Sequence, residues 1–342
     1  MPASIGRKIL RGLKWLGGGL LILVVSAAIV GAIYEAHGRY AARRDYPAVG
    51  VLVDIGGRRM QLDCRGSGTP TVVFEAGLDT MGSLSWSAVH DAVARETRAC
   101  AYSRAGIMWS DPSPGPASAV AVANDLHATL AAAHETVPFV MVGHSLGGPY
   151  IMEFTKQFGA DVAGLVFVDA SHPDQVKRLR EIVGRDLDEM PLLYKMANLL
   201  VPVGVTRFFM PTDDPAHVPE QAMAMAVAYA PPSFGPMMAE GREIRHTLDE
   251  AGTLHTLGDR PIVVLTAMKP LDPAVLEAIH ITREQGNRFQ QAWLAMHDDE
   301  ASWSSHSSHR QFTDSTHYIQ FDRPDAVITA VHEVVEQVRA PK

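Results

Sequence analysis

The sequence predicts an α/β fold. Its core is a mostly parallel sheet flanked by helices, with a helical segment inserted between two strands and an apolar helix in front. Three observations predict it. Short β-branched runs alternate with stretches of helical spacing, the pattern of strands joined by crossover helices. That alternation breaks over 172–255, which is apolar, Met-rich and punctuated by proline. Trp15 to Tyr34 is a run of twenty residues without a charge.

The elements follow in chain order. Residues 1–14 form a basic leader carrying Arg7, Lys8, Arg11 and Lys14. Residues 15–34 are long enough, at ~1.5 Å per residue, to span the ~30 Å of a bilayer's hydrocarbon core. Trp15 and Tyr34 stand at its ends, where amphipathic rings favour the interface. Arg39, Arg43 and Arg44 follow, diluted by Glu35 and Asp45. This layout predicts a retained single-pass anchor with the N-terminus cytoplasmic and the body outside. A signal peptide, with release of the body, is the alternative, although its apolar region is usually shorter, about 7–15 residues. Gly17–Gly19 weakens either kind of helix. Residues 35–48 read as a linker.

The core then occupies 49–171 and 256–342. Gly56–Gly57 between two apolar runs signals a hairpin. Strands are predicted at Thr71–Glu75, Ala99–Ser103, Phe139–Val142, Gly164–Val168 and Pro261–Thr266. Helices are predicted at Ala117–His134, Gly148–Phe158 and Pro324–Val338. Residues 172–255 read as a helical lid, whose flexible methionines suit varied apolar ligands.

Composition narrows the function. The chain has 342 residues, 47% hydrophobic and 20% charged, so it has ample material for a core and is not disordered. The first 44 residues carry a net +6, and the remaining 23 basic and 37 acidic residues leave −14. An acidic body excludes nucleic acid as the main partner. A basic leader on such a body points to a membrane. Only two cysteines occur, Cys64 and Cys100. Outside the cytoplasm they are expected to pair, closing about 37 residues for about 3–4 kcal/mol on the chain-entropy model.

The chemistry is carried by Gly143-His144-Ser145-Leu146-Gly147-Gly148, a G-x-S-x-G motif between a predicted strand and a predicted helix. The serine must adopt a strained backbone to raise its hydroxyl above the sheet. Small neighbours two residues either side remove the clashes. The helix behind it aims its positive end at a developing oxyanion.

With this motif the chain, from about Gly50 onward, resembles an α/β-hydrolase fold enzyme. VVFEAGLDT (72–80), CAYSRAGIMWSDP (100–112), GHSLGG (143–148) and STHYIQFDRPDAV (315–327) carry the resemblance. It implies a triad in the order serine, acid, histidine. Ser145 is then the nucleophile and His317 the base, a role that suits a group titrating near neutrality. His306 and His309 compete for that role. Their HSSH spacing alone does not make a metal site, and no metal or other cofactor is expected.

The acid has two candidate places. Asp169 follows GLVFV directly, while Asp272 lies in AMKPLDP after the next strand, a little beyond the family's usual position. Asp169 is the first choice and Asp272 the alternative, with Asp298 and Asp299 behind them. The resemblance also implies an oxyanion hole from the backbone N–H groups of Leu146 and Leu78. Three positions depart from the family pattern. Ala76 stands for a usual His, Ser103 for a usual Asp and Met108 for a usual Gly.

These readings imply a serine hydrolase acting on a small-molecule carboxylic ester, hydrophobic if the apolar lid shapes its pocket. Dehalogenases and epoxide hydrolases of this fold use a carboxylate nucleophile, which Ser145 is not. An amidase, peptidase or acyltransferase would use the same triad. A membrane-tethered binding protein that keeps the fold without catalysis is the alternative from another class. No G-x-G-x-x-G follows the first strand and there is no Walker lysine, so nucleotide binding is not expected.

Overall fold

A computed structural model of the protein describes residues 3–208 and 218–341, with side chains from residue 10. The two N-terminal residues of the leader and the 209–217 part of the predicted lid lie outside the described residues.

Eight strands form one sheet in the order β1-β2-β4-β3-β5-β6-β7-β8. They are β1 (Val51–Asp54), β2 (Arg59–Arg65), β3 (Thr71–Glu75), β4 (Ala99–Ser103), β5 (Phe139–His144), β6 (Val162–Val168), β7 (Ile262–Ala267) and β8 (Ser307–Phe312). β1 and β2 form an antiparallel hairpin whose second strand runs antiparallel to β4, and every later pairing is parallel.

Twelve α-helices are described. They are α1 (Ala3–Asp45), α2 (His90–Ala94), α3 (Ala119–Ala132), α4 (Gly147–Gln157), α5 (Gln175–Val183), α6 (Leu192–Leu200), α7 (Glu220–Arg242), α8 (Ile244–Ala251), α9 (Pro273–Ala278), α10 (Arg283–Ser302), α11 (Ile319–Asp322) and α12 (Pro324–Arg339). Helices α5–α8 form the insertion between β6 and β7.

Because successive strand residues point to opposite faces, the β-branched runs feed two cores. Val73, Met141, Leu165, Phe167 and Val264 meet Leu126 and Leu130 of α3 and Ile151 and Phe154 of α4. Val72, Phe74, Val142, Val166 and Leu265 meet Val327, Val331 and Val334 of α12. Each such side chain, fully buried, contributes roughly 1.5–3 kcal/mol. Cys64 and Cys100 are direct partners in the β2–β4 register, with Cα atoms 4.0 Å apart, and are joined by a disulfide.

One expectation is corrected and one strand is added to those expected. Residues 35–48 are not a linker for most of their length, because α1 runs unbroken to Asp45. That stretch has no proline before Pro47, and Glu35 is held on one side by Arg39 at 2.7 Å and on the other by Arg207 at 2.6 Å. The Ser/Thr-rich stretch before His317 contains the edge strand β8, paired along its length with β7. Its sequence, SSHRQF, has one apolar residue, so hydrophobic alternation gives no sign of it.

Helix α1 does not stand clear of the body. Gly31 faces the backbone of Val203 so closely that any Cβ there would overlap its carbonyl. The Tyr34 ring stacks on Phe208 at 5.4 Å. One side of α1, at Gly31, Glu35 and Gly38, thus packs on the segment between α6 and residue 208.

Candidate active site

The parallel register brings three strand ends to one rim. Glu75 at the end of β3 lies opposite Gly143 of β5, and His144 of β5 lies opposite Val168 of β6. The residues that follow, Ala76–Leu78, Ser145 and Asp169, therefore emerge side by side. Ser145 takes φ 51°, a left-handed conformation that costs a non-glycine residue roughly 1–3 kcal/mol. Its amide donates to Val168 O at 3.2 Å, and its carbonyl accepts from Gly148 and Ser171 at 2.9 and 2.8 Å. Gly147 lets the turn pass against the backbone of Glu75 and Ala76, where a Cβ would clash.

Asp169 is buried and also left-handed, at φ 42°. Its Oδ1 accepts from the Ala267 amide at 2.9 Å and from Trp293 Nε1 at 3.0 Å. Its Oδ2 lies 2.6 Å from His317 Nδ1. Burial pushes this carboxyl up, but the hydrogen bond and charge of His317 outweigh it, and Asp169 titrates below the usual carboxylate range. With Nδ1 committed to Asp169, His317 has Nε2 left for other chemistry.

Beneath His317 lies His144. Its Nε2 donates to the His317 carbonyl at 2.9 Å, and the two rings are 4.7 Å apart. Burial first, and then the neighbouring His317, drive His144 down to about 3. It is neutral and, as the residue directly before Ser145, ties the His317 loop to the serine turn.

The Ala76–Leu78 loop is also anchored. Gly77 abuts the Ser145 turn, since a Cβ at Gly77 would come 3.0 Å from Ser145 Cβ. Arg104, fully buried, donates to Ala76 O at 2.7 Å and Gly77 O at 2.6 Å. It also meets Glu75 at 2.7 Å and grips Glu240 of α7 through Nε at 2.8 Å and Nη2 at 2.7 Å. All five guanidinium N–H groups are thereby used. Tyr102 donates to the other Glu75 oxygen at 2.5 Å. Burial pushes Glu75 up to about 7 despite Arg104 and Tyr102.

The other sequence candidates lie elsewhere. Asp272 caps α9 by accepting from Ala274 N at 2.8 Å. Asp298 faces His309 and Asp299 faces His172, at 2.8 and 3.0 Å. His309 also shares the Thr266 hydroxyl, at 2.6 Å, and His306 lies at the entry to β8. Leu146 starts α4 and is buried, while Leu78 is half-buried behind Gly77. At the family departures, Met108 adopts φ 51°, a conformation glycine takes more easily, and Ser103 donates to Gln61 at 2.7 Å. Trp293, Glu240 and His144 were not reached from the sequence. Trp293 and His297, spaced i and i+4 on α10, are the nearest thing to a signal.

The alpha/beta hydrolase family model matches residues 36–330. The chain belongs to that family. An uncharacterized protein of Schizosaccharomyces pombe is 33% identical over 114 residues, 33% of this chain and 20% of that protein. A probable transporter of Hormonema carpetanum is 35% identical over 128 residues, 35% of this chain and 18% of that protein. The matched stretch is thus about a fifth of either relative's length. Among solved structures, a thermophilic esterase from Thermogutta terrifontis has a TM-score of 0.56 at 21% identity, covering 84% of this chain and 98% of its own. A meta-cleavage product hydrolase from Pseudomonas fluorescens has a TM-score of 0.57 at 18% identity, covering 84% and 98%. A putative ancestral haloalkane dehalogenase reaches 0.63 at 17%, covering 85% and 100%. At these identities the likeness is one of fold.

Proposed function

We propose that this member of the family is a serine hydrolase that cleaves carboxylic esters, with Ser145 as nucleophile, His317 as base and Asp169 as acid. The observation that carries the reading is the 2.6 Å pairing of Asp169 Oδ2 with His317 Nδ1, beside a left-handed serine. Asp272 is set aside because its carboxylate is spent on capping α9.

The steps follow from these positions. Ser145 Oγ attacks the ester carbon while its proton passes to His317 Nε2. Asp169 holds the ring and stabilises the imidazolium. The developing oxyanion is received by the N–H groups of Leu146 and Leu78, donors each worth about 10²–10³ in rate. The intermediate collapses, and the alcohol leaves with the His317 proton. Water then gives its proton to His317, attacks the acyl-enzyme and releases the acid, and the proton returns to Ser145. The inserted helices α5–α8 form a cap over this rim. Their Met-rich, apolar character favours a hydrophobic acyl group. We further take α1 as a retained membrane span with the body on the extracytoplasmic side.

Intact-mass measurement of the full chain after treatment with a fluorophosphonate tests the reading. One adduct is expected, and Ser145→Ala removes it. A folded wild-type chain that takes no adduct refutes it.

A further inference from the structure

We infer that helix α6 and the segment to Phe208 lie in the membrane surface beside α1, so that the cap meets the bilayer directly. This rests on α1 spanning the membrane. The charge-free run ends at Tyr34, and Gly31 lies three residues inside it, about 5 Å at 1.5 Å per residue. Yet Gly31 is packed on Val203, and Tyr34 on Gly204 and Phe208. Any depth that seats the end of the run in the membrane therefore brings Val203–Phe208 to the same depth. Helix α6 feeds straight into that segment.

The side chains of α6 agree. Leu192, Leu193, Met196, Leu199 and Phe208 are exposed, Leu199 at 78%, and Lys195 is the one charge on the helix. In water such a surface is costly, at roughly 25 cal/mol per Å² of apolar area. It is continuous with the equally exposed apolar face of α1, through the Tyr34–Phe208 stack. The buried Glu35–Arg207 pair, at 2.6 Å, locks the two elements together. Charge marks the upper limit of insertion, because Arg39, Arg43 and Arg44 follow the end of the run by five to ten residues and belong at headgroup level. A surface helix of this kind sits with its apolar face ~5–10 Å into the headgroup–acyl boundary. An ester dissolved in the bilayer would then reach the cap without crossing bulk water.

Depth-dependent quenching tests this on the full chain in nanodiscs. The two native cysteines are bonded to each other, so an introduced cysteine is the single free thiol. Leu199→Cys, Val24→Cys and Ala132→Cys each carry an environment-sensitive dye, in lipids with or without acyl-chain bromine. Ala132 is the last residue of α3, at the far end of that helix from Ala119 and Val122, which pack against Leu146 beside Ser145. The expected result is loss of about half the emission or more at Leu199→Cys and Val24→Cys, and little change at Ala132→Cys, as an interfacial depth of ~5–10 Å requires. Quenching at Val24→Cys without quenching at Leu199→Cys overturns the inference and leaves the span intact. Quenching at neither refutes the span itself. Shielding of Leu199→Cys together with dye–dye contact between chains would assign α6 to a second copy and also overturn it.

Discussion

Replacing Arg104 by methionine is expected to weaken the fold and to disorganise the rim together. Methionine keeps an unbranched, apolar stem but removes all five donors. The change strands two buried carboxylates, Glu75 and Glu240, and two loop carbonyls, Ala76 O and Gly77 O. Summing five charge-assisted bonds would overstate the loss, because both carboxylates can take up protons once the cation is gone. Burial already drives Glu75 to about 7 and raises Glu240. Breaking a buried pair by removing one partner typically costs about 3–5 kcal/mol. Against a total of about 5–15 kcal/mol, the variant folds, with little in reserve. At about 2–4 °C per kcal/mol, its melting temperature falls by roughly 10 °C. Turnover falls further than stability explains, since a loop displaced by about 1 Å can cost about 10² in rate. Thermal unfolding of the full chain in detergent, followed by tryptophan fluorescence, reads the first effect, and ester turnover well below the melting temperature reads the second. Arg104→Met with Glu240→Leu should regain part of the stability, because one stranded charge is gone. If Arg104→Met melts within about 1 kcal/mol of the parent, the buried fork does not carry the weight assigned to it.

Asp169→Asn should lower ester turnover by about 10⁴, the scale of losing a triad acid, whereas Asp272→Asn should leave turnover within a few-fold and change only a helix cap. Equal losses in the two variants would refute the assignment of the acid. His144 is held neutral far below its usual value near 6.5, so the stability that this gives is complete above that pH. It drains away at about 1.4 kcal/mol per pH unit as pH falls from there towards about 3, and His144→Gln should flatten that slope in acid-unfolding curves. Glu300 acts with the opposite sign. It is buried with neither carboxylate oxygen bonded, which raises it well above the usual range, so folding is disfavoured progressively as pH climbs past about 4.5. Glu300→Gln should therefore gain relative stability on the alkaline side, seen as a melting-temperature difference that widens with pH. Cys64→Ala with Cys100→Ala should cost about 4 kcal/mol by the loop-closure argument for residues 36 apart, measured by urea unfolding.

The parts of the fold readable in the sequence are those where one local rule sufficed. TVVFE and ACAYS form strands at 71–75 and 99–103 because β-branched and small apolar residues suit a strand buried on both faces. The turn at Ser145 was legible because strand, strained serine and helix N-terminus must coincide in sequence. What escaped depended on residues far apart. The place of Asp169 directly after GLVFV favours it over Asp272, but the contacts that hold its carboxylate are not local. Only the fold brings Trp293 and Ala267, over 90 residues away, onto one of these carboxylates. Strand β8 was hidden because an edge strand need not be apolar. Helix α10 is polar along most of its length, although its Thr282–Gln285 capping box was available to be read. The run of α1 past Tyr34 is supported by Arg207, which comes from the inserted segment far along the chain.

The carboxylate paired with His317 stands at the end of β6 rather than after β7. That placement bears on how this chain can change over time. The connection leaving β7, from Met268 to the cap of α9, holds no group that touches His317 or Ser145 through a described hydrogen bond. Met268 and Lys269 brace the loop after β8 by donating to Phe312 O and Ser315 O, so lengthening, shortening or grafting from Pro270 onward would leave the Asp169–His317–Ser145 rim standing on β5, β6 and that loop. That connection is therefore the natural place for lineages, or engineers, to add a recognition element beside the site without rebuilding it.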